Sequence, residues 1–226
     1  QLSNDCKAAE KKLVKAASKV YKKFLASCPA PDAPGSKQVT ALMTITGLID
    51  APKADKEFLS INGAQGFSTF YGYYMLEAMA MAGNYQGALD VIREYWGAMI
   101  DLGATSFWED FDINWIPNAA PIDELVPEGK KDIHGDCGAY CYVGFRHSLC
   151  HGWASGPTSW LSRHILGVEV IEPGCRQVRI TPHLGDLQWV KGTFPTPYGE
   201  LQIYHEKQAN GNVISEVKAP KGVSVI

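Results

Sequence analysis

The segment Ala104-Thr105-Ser106-Phe107-Trp108-Glu109-Asp110 puts an indole ring beside a carboxylate. Such a ring gives the apolar face of a sugar a surface to stack on, and a carboxylate held in a cleft moves protons. The pair has the parts needed to cleave a glycosidic bond. Asp110 and Asp112 stand close enough to orient Glu109 or to bind hydroxyls, and Trp115 offers a second ring. Read from residue type alone, each has a plain alternative. Glu109 is then a solvated or ion-paired loop carboxylate, Trp108 a core ring and Trp115 a brace for the loop.

His134, Asp136, His147 and His151 raise the question of a metal. His147 and His151 are four apart, but Gly152 and the loop before them argue against one helical face. Zinc asks for three or four protein ligands, each with a supporting partner. Hydrogen bonding to sugar hydroxyls, for which His134 and His151 are the candidates, or to barrel backbone is the preferred reading, and no metal is expected. Cys137 and Cys141 have a loose zinc-like spacing without a second cysteine pair. Six irregularly spaced cysteines in a chain of this size do not read as a disulfide framework. Gly63-Ala64-Gln65-Gly66 lacks the Lys and Ser/Thr of a phosphate loop, and no cofactor is expected.

These residues need elements to hold them. Residues 5–27 read as a helix, with Leu13, Ala17, Val20, Tyr21 and Phe24 at helical spacing and lysines opposite. Cys28 to Gly35, rich in proline, breaks it. Ser36 can cap a second helix over about 36–49, ended by Asp50-Ala51-Pro52. A helix over 69–82 is apolar or aromatic nearly all round, so it should be buried on every side, and Gly83-Asn84 closes it. Tyr71, Tyr73 and Tyr74 are mostly core residues on it, with Tyr71 taken to reach the mouth of the site. Residues 85–100 form an amphipathic helix, with Tyr85, Ala88, Leu89, Ile92, Tyr95, Trp96 and Met99 on one face. One buried helix beside one half-exposed helix is the layering of an inner and an outer ring, as in an α/α barrel of helical hairpins. Residues 105–147 show little periodicity but are too aromatic for disorder. A further helix spans about 153–166. After Pro173-Gly174, short alternating runs and the turn Ala209-Asn210-Gly211-Asn212 give a small antiparallel β unit, sandwich-like, over 174–226.

Bulk properties narrow the field. The 226 residues carry 21 Lys+Arg against 24 Asp+Glu, a net charge of -3, so no basic surface points to nucleic acid. A hydrophobic content of 46% supports a real core. No apolar run approaches the roughly 20 residues of a membrane helix. The N-terminal residues are polar and resemble no signal peptide. There is no initiator Met, which reads as a mature chain or a piece of a larger one.

Four segments carry a resemblance. Gly66-Phe67-Ser68-Thr69-Phe70-Tyr71-Gly72-Tyr73-Tyr74 resembles the inner helix of the α-L-rhamnosidase-like enzymes of glycoside hydrolase family 78. Gly103 to Glu109 is similar to the family's Ala-Thr-Thr-x-Trp-Glu pattern, with Ser106 in place of a Thr. His147-Ser148-Leu149-Cys150-His151-Gly152-Trp153-Ala154-Ser155-Gly156-Pro157 resembles a His/Gly/Trp helix entry found in a subset of these proteins. Glu172 to Pro182 resembles the start of the C-terminal β-sandwich. The similarity spans roughly residues 36–220.

The resemblance implies a mainly α chain, part of an (α/α)6 six-hairpin barrel over 1–172, followed by a C-terminal β domain over 173–226. It implies an inverting glycosidase, in which one carboxyl group protonates the leaving oxygen and another activates water, the two standing about 6.5–9.5 Å apart. Glu109 falls at the family's general-base position. Trp108, Trp115, Tyr71, His134, His151 and Trp153 are the implied sugar contacts. The family's general acid belongs to an Asp-Cys-Pro-x-Arg-Glu type motif that does not occur in this sequence. The chain is accordingly expected to be a C-terminal part, inactive alone, whose partners are a rhamnose-containing glycan or glycoside and the N-terminal part of the same polypeptide. About five helices are legible where a closed ring of hairpins needs about twelve, in keeping with that expectation. A periplasmic or secreted bacterial setting is preferred to a cytoplasmic one. The alternatives carried beside this reading are a non-catalytic carbohydrate-binding or scaffold fragment, and another six-hairpin glycosidase or lyase.

Overall fold

The computed structural model describes residues 4–27, 35–137 and 146–226. The proline-rich break at 28–34, with Cys28, and the cysteine spacing that ends at Cys141 lie outside them.

The helical part begins with α1 (Asn4–Ser27), whose Ala and Lys content suits a helix. Of its apolar stripe, Tyr21 is buried while Leu13 and Val20 stay exposed. Helix α2 (Ser36–Ile45) is capped by Gly35 in the left-handed region (φ 79°) rather than by Ser36, which lies inside the helix and is buried. It also stops earlier than the periodicity suggests, because Gly47 turns the chain at φ 72°. Asp50-Ala51-Pro52 does not merely end that helix. Asp50 accepts the Lys53 amide at 3.0 Å and starts α3 (Ala51–Ala54), where proline in the first turn costs no hydrogen bond. A π-helical turn over Asp55–Leu59 continues it.

Helix α4 (Gly72–Met81) is the hub, packing against α2, α3, α5 (Tyr85–Asp101) and α6 (Gly156–Trp160). It starts at Gly72, where the chain lies against Trp96. A Cβ at that position would come within 2.7 Å of the indole. Met75, Leu76, Ala78, Met79 and Ala80 are buried, but the expectation of burial on every side fails at the ends. Met81 is exposed, and Phe70 and Tyr71, just before the helix, are open to solvent. The Asn84 side chain accepts the Gly87 amide and caps α5, whose buried face carries Leu89, Val91, Tyr95, Trp96 and Met99.

Between α5 and α6 the described chain is mostly irregular. A 3-10 turn (Ile113–Trp115) is followed by β1 (Ala119–Ala120), which pairs in parallel with β2 (Lys131–Asp132). The single helix expected over 153–166 is instead a 3-10 turn (Gly152–Ala154), then α6, then a π-helical turn (Leu161–Ile165). Trp160 is fully sealed and donates its Nε1–H to the Leu76 carbonyl at 3.0 Å, fastening α6 to α4.

The C-terminal part holds two three-stranded sheets. One orders β3 (Val168–Val170), β4 (Gln177–Ile180) and β8 (Ser224–Val225). The other orders β5 (Trp189–Thr196), β6 (Gly199–Lys207) and β7 (Val213–Lys218). The pairing is antiparallel except that β8 runs parallel to β4, since the chain returns past Pro220-Lys221-Gly222 before joining the sheet. Leu166, Val168, Val178, Leu201 and Ile203 form the core between the sheets. Pro195 fits because β5 is an edge strand. Arg93 of α5 meets Asp186 at 2.7 Å and ties the helices to this part.

Candidate functional site

Glu109 is held from several directions. Its amide donates to the Ser148 carbonyl at 2.8 Å, and the Ser148 amide donates to Glu109 Oε2 at 2.8 Å. Its carbonyl accepts the Thr69 hydroxyl at 2.6 Å and the Trp153 indole N–H at 2.8 Å. Three segments distant in sequence thus converge on one residue. They are the approach to α4, the loop after α5 and the approach to α6. The Glu109 side chain retains 17% of its exposure, and His151 Nδ1 lies 4.0 Å from Oε2. A carboxylate fixed by a main-chain N–H and still reached by solvent can take a proton from water without first reorganising.

On one side of Glu109 the structure gathers Trp153, His151, Tyr71 and Phe70. The Trp153 ring lies 4.3 Å from that of His151 and 5.7 Å from that of Phe70, which stands edge-on to Tyr71 at 5.1 Å. Trp153 is 45% exposed and Phe70 41%, so this is an open aromatic surface. Helical spacing assigns Phe70 to the core. What marks it otherwise is its place before Gly72, outside the helix proper.

On another side lie Trp115, His147 and His134, with ring centroids 6.2 Å and 5.8 Å apart along the row. His147 is buried, and that burial lowers its pKa, opposed by the charges of Asp110 and Glu109. His134 is positioned by its neighbours. Its amide donates to Asp132 at 2.8 Å, and Arg146 lies 2.7 Å from Asp132 and 3.3 Å from His134 Nδ1. Burial would raise the Asp132 pKa, but the His134 amide and the Arg146 guanidinium outweigh it and hold the carboxyl below its usual range. Asp112 caps the 3-10 turn through the Asn114 amide, a local structural task.

Trp108 is placed differently from its neighbours. It is fully buried, edge-on to Phe111 at 5.8 Å, and its indole N–H finds no acceptor among the described residues. It offers no stacking surface as the chain stands. Trp153, 45% exposed, supplies the open ring beside Glu109 instead. Beneath the loop, Tyr95 donates its hydroxyl to the Phe111 carbonyl. Burial first, then the Asp110 and Asp112 charges, raise its pKa well above the usual tyrosine value. Among the described residues no cluster of three or more His, Cys, Asp or Glu is arranged to hold a metal ion, and no helix is long and apolar enough to cross a membrane.

Comparison with known proteins bears on this geometry. Residues 167–226 match the model of the bacterial α-L-rhamnosidase C-terminal domain. The chain is similar in structure to a family 78 rhamnosidase of Bacillus sp. GL1, at 26% identity and a TM-score of 0.62, over 84% of this chain and 18% of that one. An α-L-rhamnosidase from Aspergillus terreus superposes with a TM-score of 0.64 at 20% identity, over 84% of this chain and 21% of that one. The Streptomyces avermitilis α-L-rhamnosidase, solved in complex with L-rhamnose, gives 0.62 at 18% identity, over 84% of this chain and 17% of that one. No curated protein sequence matches. The chain thus spans about a fifth of the length of these structures. The resemblance of the chain to the C-terminal part of family 78 α-L-rhamnosidases is borne out, and helices followed by mainly antiparallel sheets fit that architecture.

Proposed function

From its resemblance to glycoside hydrolase family 78, we propose that this chain is the C-terminal part of an inverting α-L-rhamnosidase in which Glu109 is the general base. In this reading residues 1–172 are part of an (α/α)6 barrel. Residues 173–226 form its β-sandwich domain, with Val168–Val170 the strand by which the polypeptide enters it. The general acid comes from an N-terminal part of the same polypeptide, so the chain alone does not turn over substrate. The substrate is a rhamnose-containing glycan or glycoside.

The observation that carries this reading is the fixing of Glu109 by the Ser148 amide at the edge of the surface made by Tyr71, Phe70, Trp153 and His151. An aromatic wall accepts the apolar face of a sugar ring. A carboxylate beside it then deprotonates a water that attacks the anomeric carbon as the leaving oxygen is protonated from the opposite face. His134 and Trp115 line up farther along the loop, where hydroxyls of the sugar or aglycone would lie.

The test uses the full-length polypeptide and aryl α-L-rhamnosides. Glu109→Gln is expected to lower kcat by about 10²-fold or more, with KM and the thermal midpoint little changed. NMR of the first-formed anomer should show inversion. Unchanged turnover removes Glu109 from the mechanism. Release of another sugar while rhamnosides stay intact removes the substrate assignment and leaves the base.

A further inference from the structure

The outward face of the sheet β5-β6-β7 is a grid fixed by strand register. Opposite residues on antiparallel neighbours point to the same side, and that side repeats every second residue. One row is Trp189, Glu206 and Ile214, the next Lys191, Tyr204 and Glu216, the third Thr193, Gln202 and Lys218. The opposite face carries Leu201, Ile203 and His205 and is buried. Strand spacing gives the grid a size of about 10 by 14 Å. A hollow of about 430 Å³ lies over its second and third rows, lined by Lys191, Thr193, Gln202, Tyr204, Glu216 and Lys218.

The chemistry of this face is specific. Trp189 is 60% exposed, unusual for the largest apolar side chain, and Tyr204 lies diagonally across from it. The Tyr204 hydroxyl is turned by Glu206 Oε2 at 3.0 Å. Among the described residues, no hydrogen bond or ion pair with the protein engages the Lys191 or Lys218 ammonium, the Gln202 amide or the Thr193 hydroxyl. The face therefore presents rings, donors and acceptors at once. Its Lys191 and Lys218 charges are matched by Glu206 and Glu216, which disfavours a polyanion such as nucleic acid or an acidic membrane. A ligand with apolar ring faces, dense hydroxyls and no net charge complements it.

We propose that this sheet face is a saccharide-binding site for neutral glycan chains, separate from Glu109, with Trp189 and Tyr204 as the stacking rings. It does not rest on the assignment of Glu109. The residues come from strands that pair independently of the loop at 104–115. Such a site holds a polymer near the molecule without taking part in bond cleavage.

The test is affinity electrophoresis of the full-length polypeptide through gels containing a soluble β-glucan, a galactomannan, a xylan or an arabinan, with Trp fluorescence titration for affinity. At least one of these polymers should retard the chain, and retardation should persist in 0.5 M salt, a concentration that screens charge (Debye length about 4–5 Å). Trp189→Ala and Tyr204→Ala should each weaken binding roughly tenfold, with unchanged circular dichroism because Trp189 is exposed and Tyr204, half-buried, stands on the outward face of the sheet. Glu109→Gln should bind as the parent does, so loss of turnover and loss of this site are read separately. No retardation by any of the four polymers overturns the proposal, as does retardation that salt abolishes or that both ring variants retain. Self-association through this face, seen as a concentration-dependent mass that Trp189→Ala abolishes, overturns it too.

Discussion

The loop around Glu109 and the strands around Tyr204 expose functional groups by opposite means. In the sheet, backbone pairing fixes each residue against its neighbours, so side chains need only point outward. In the loop, no ladder exists, and side chains fix the backbone instead. The Thr69 hydroxyl and Trp153 indole hold the Glu109 carbonyl, the Ser106 hydroxyl holds Leu149 at 2.5 Å, and Tyr95 holds Phe111. The difference teaches where each region is fragile. The loop depends on distant core residues, whereas the sheet face depends on almost none of its own side chains.

The two tryptophans Trp160 and Trp189 expose this contrast most sharply. Trp160→Ala removes a fully buried ring and the hydrogen bond between α6 and α4, and should cost about 3–5 kcal/mol in urea unfolding. Trp189→Ala, at an exposed position, should stay within about 0.5 kcal/mol. Equal losses would mean that the sheet face is structural and the contrast false. Next in size is the junction between the two parts. Gly167 adopts φ +74°, and a Cβ there would meet the Thr181 backbone at 2.3 Å. Backbone cannot yield as a side chain can, so Gly167→Ala should destabilise by at least about 2 kcal/mol. If it is neutral, the parts are joined more loosely than their contacts imply.

These features were unevenly legible in the sequence. Helix α5 and strand β6 follow directly from periodicity, because each buries one regular face. The start of α4 does not. Phe70 and Tyr71 continue its apolar pattern, and nothing in that pattern marks that the helix begins after them. The site was readable as a motif and not as a surface. Trp108 and Glu109 are neighbours in sequence, yet the fold buries the ring and leaves the carboxylate partly open. Nothing local distinguishes a tryptophan sealed in the core from one that lines a site. Trp153, Phe70 and His151 come together only through the approaches to α4 and α6, which sequence spacing does not bring into contact.

A smaller effect isolates the brace beneath the loop. Tyr95→Phe keeps the ring packed against Phe111 and deletes the hydroxyl, leaving a buried carbonyl without that donor. The cost should be about 1–3 kcal/mol. In the full-length polypeptide, turnover should fall more than this loss of stability explains, since Phe111 is two residues from Glu109. Stability lost with turnover intact would show that the loop holds its shape through its remaining bonds.

The last comparison sets one buried base from each part against the other. Lys37, in α2, is buried with its ammonium donating to the Gly63 carbonyl at 2.7 Å and lying over the Phe67 ring. Burial lowers its pKa to about 8, against the opposing pull of Glu94. Between about 8 and the ordinary lysine value of 10.5 the unfolded chain holds more protons than the folded one, so stability should rise with pH across that window. His205, in β6, is buried between Ser215 and the Leu166 carbonyl, and burial lowers its pKa below 6.5. Its contribution is complete above 6.5 and is lost as the pH falls, a limb shared with His147 and His183, whose pKa values burial also lowers. Urea midpoints measured from pH 4 to 10.5 should therefore climb twice. Lys37→Met should flatten the alkaline climb alone, and His205→Gln should make the acid climb shallower without touching the other. A single variant that alters both limbs would show that the helical part and the sheets do not titrate as separate bodies, and the contrast between them would then be one of surface rather than of stability.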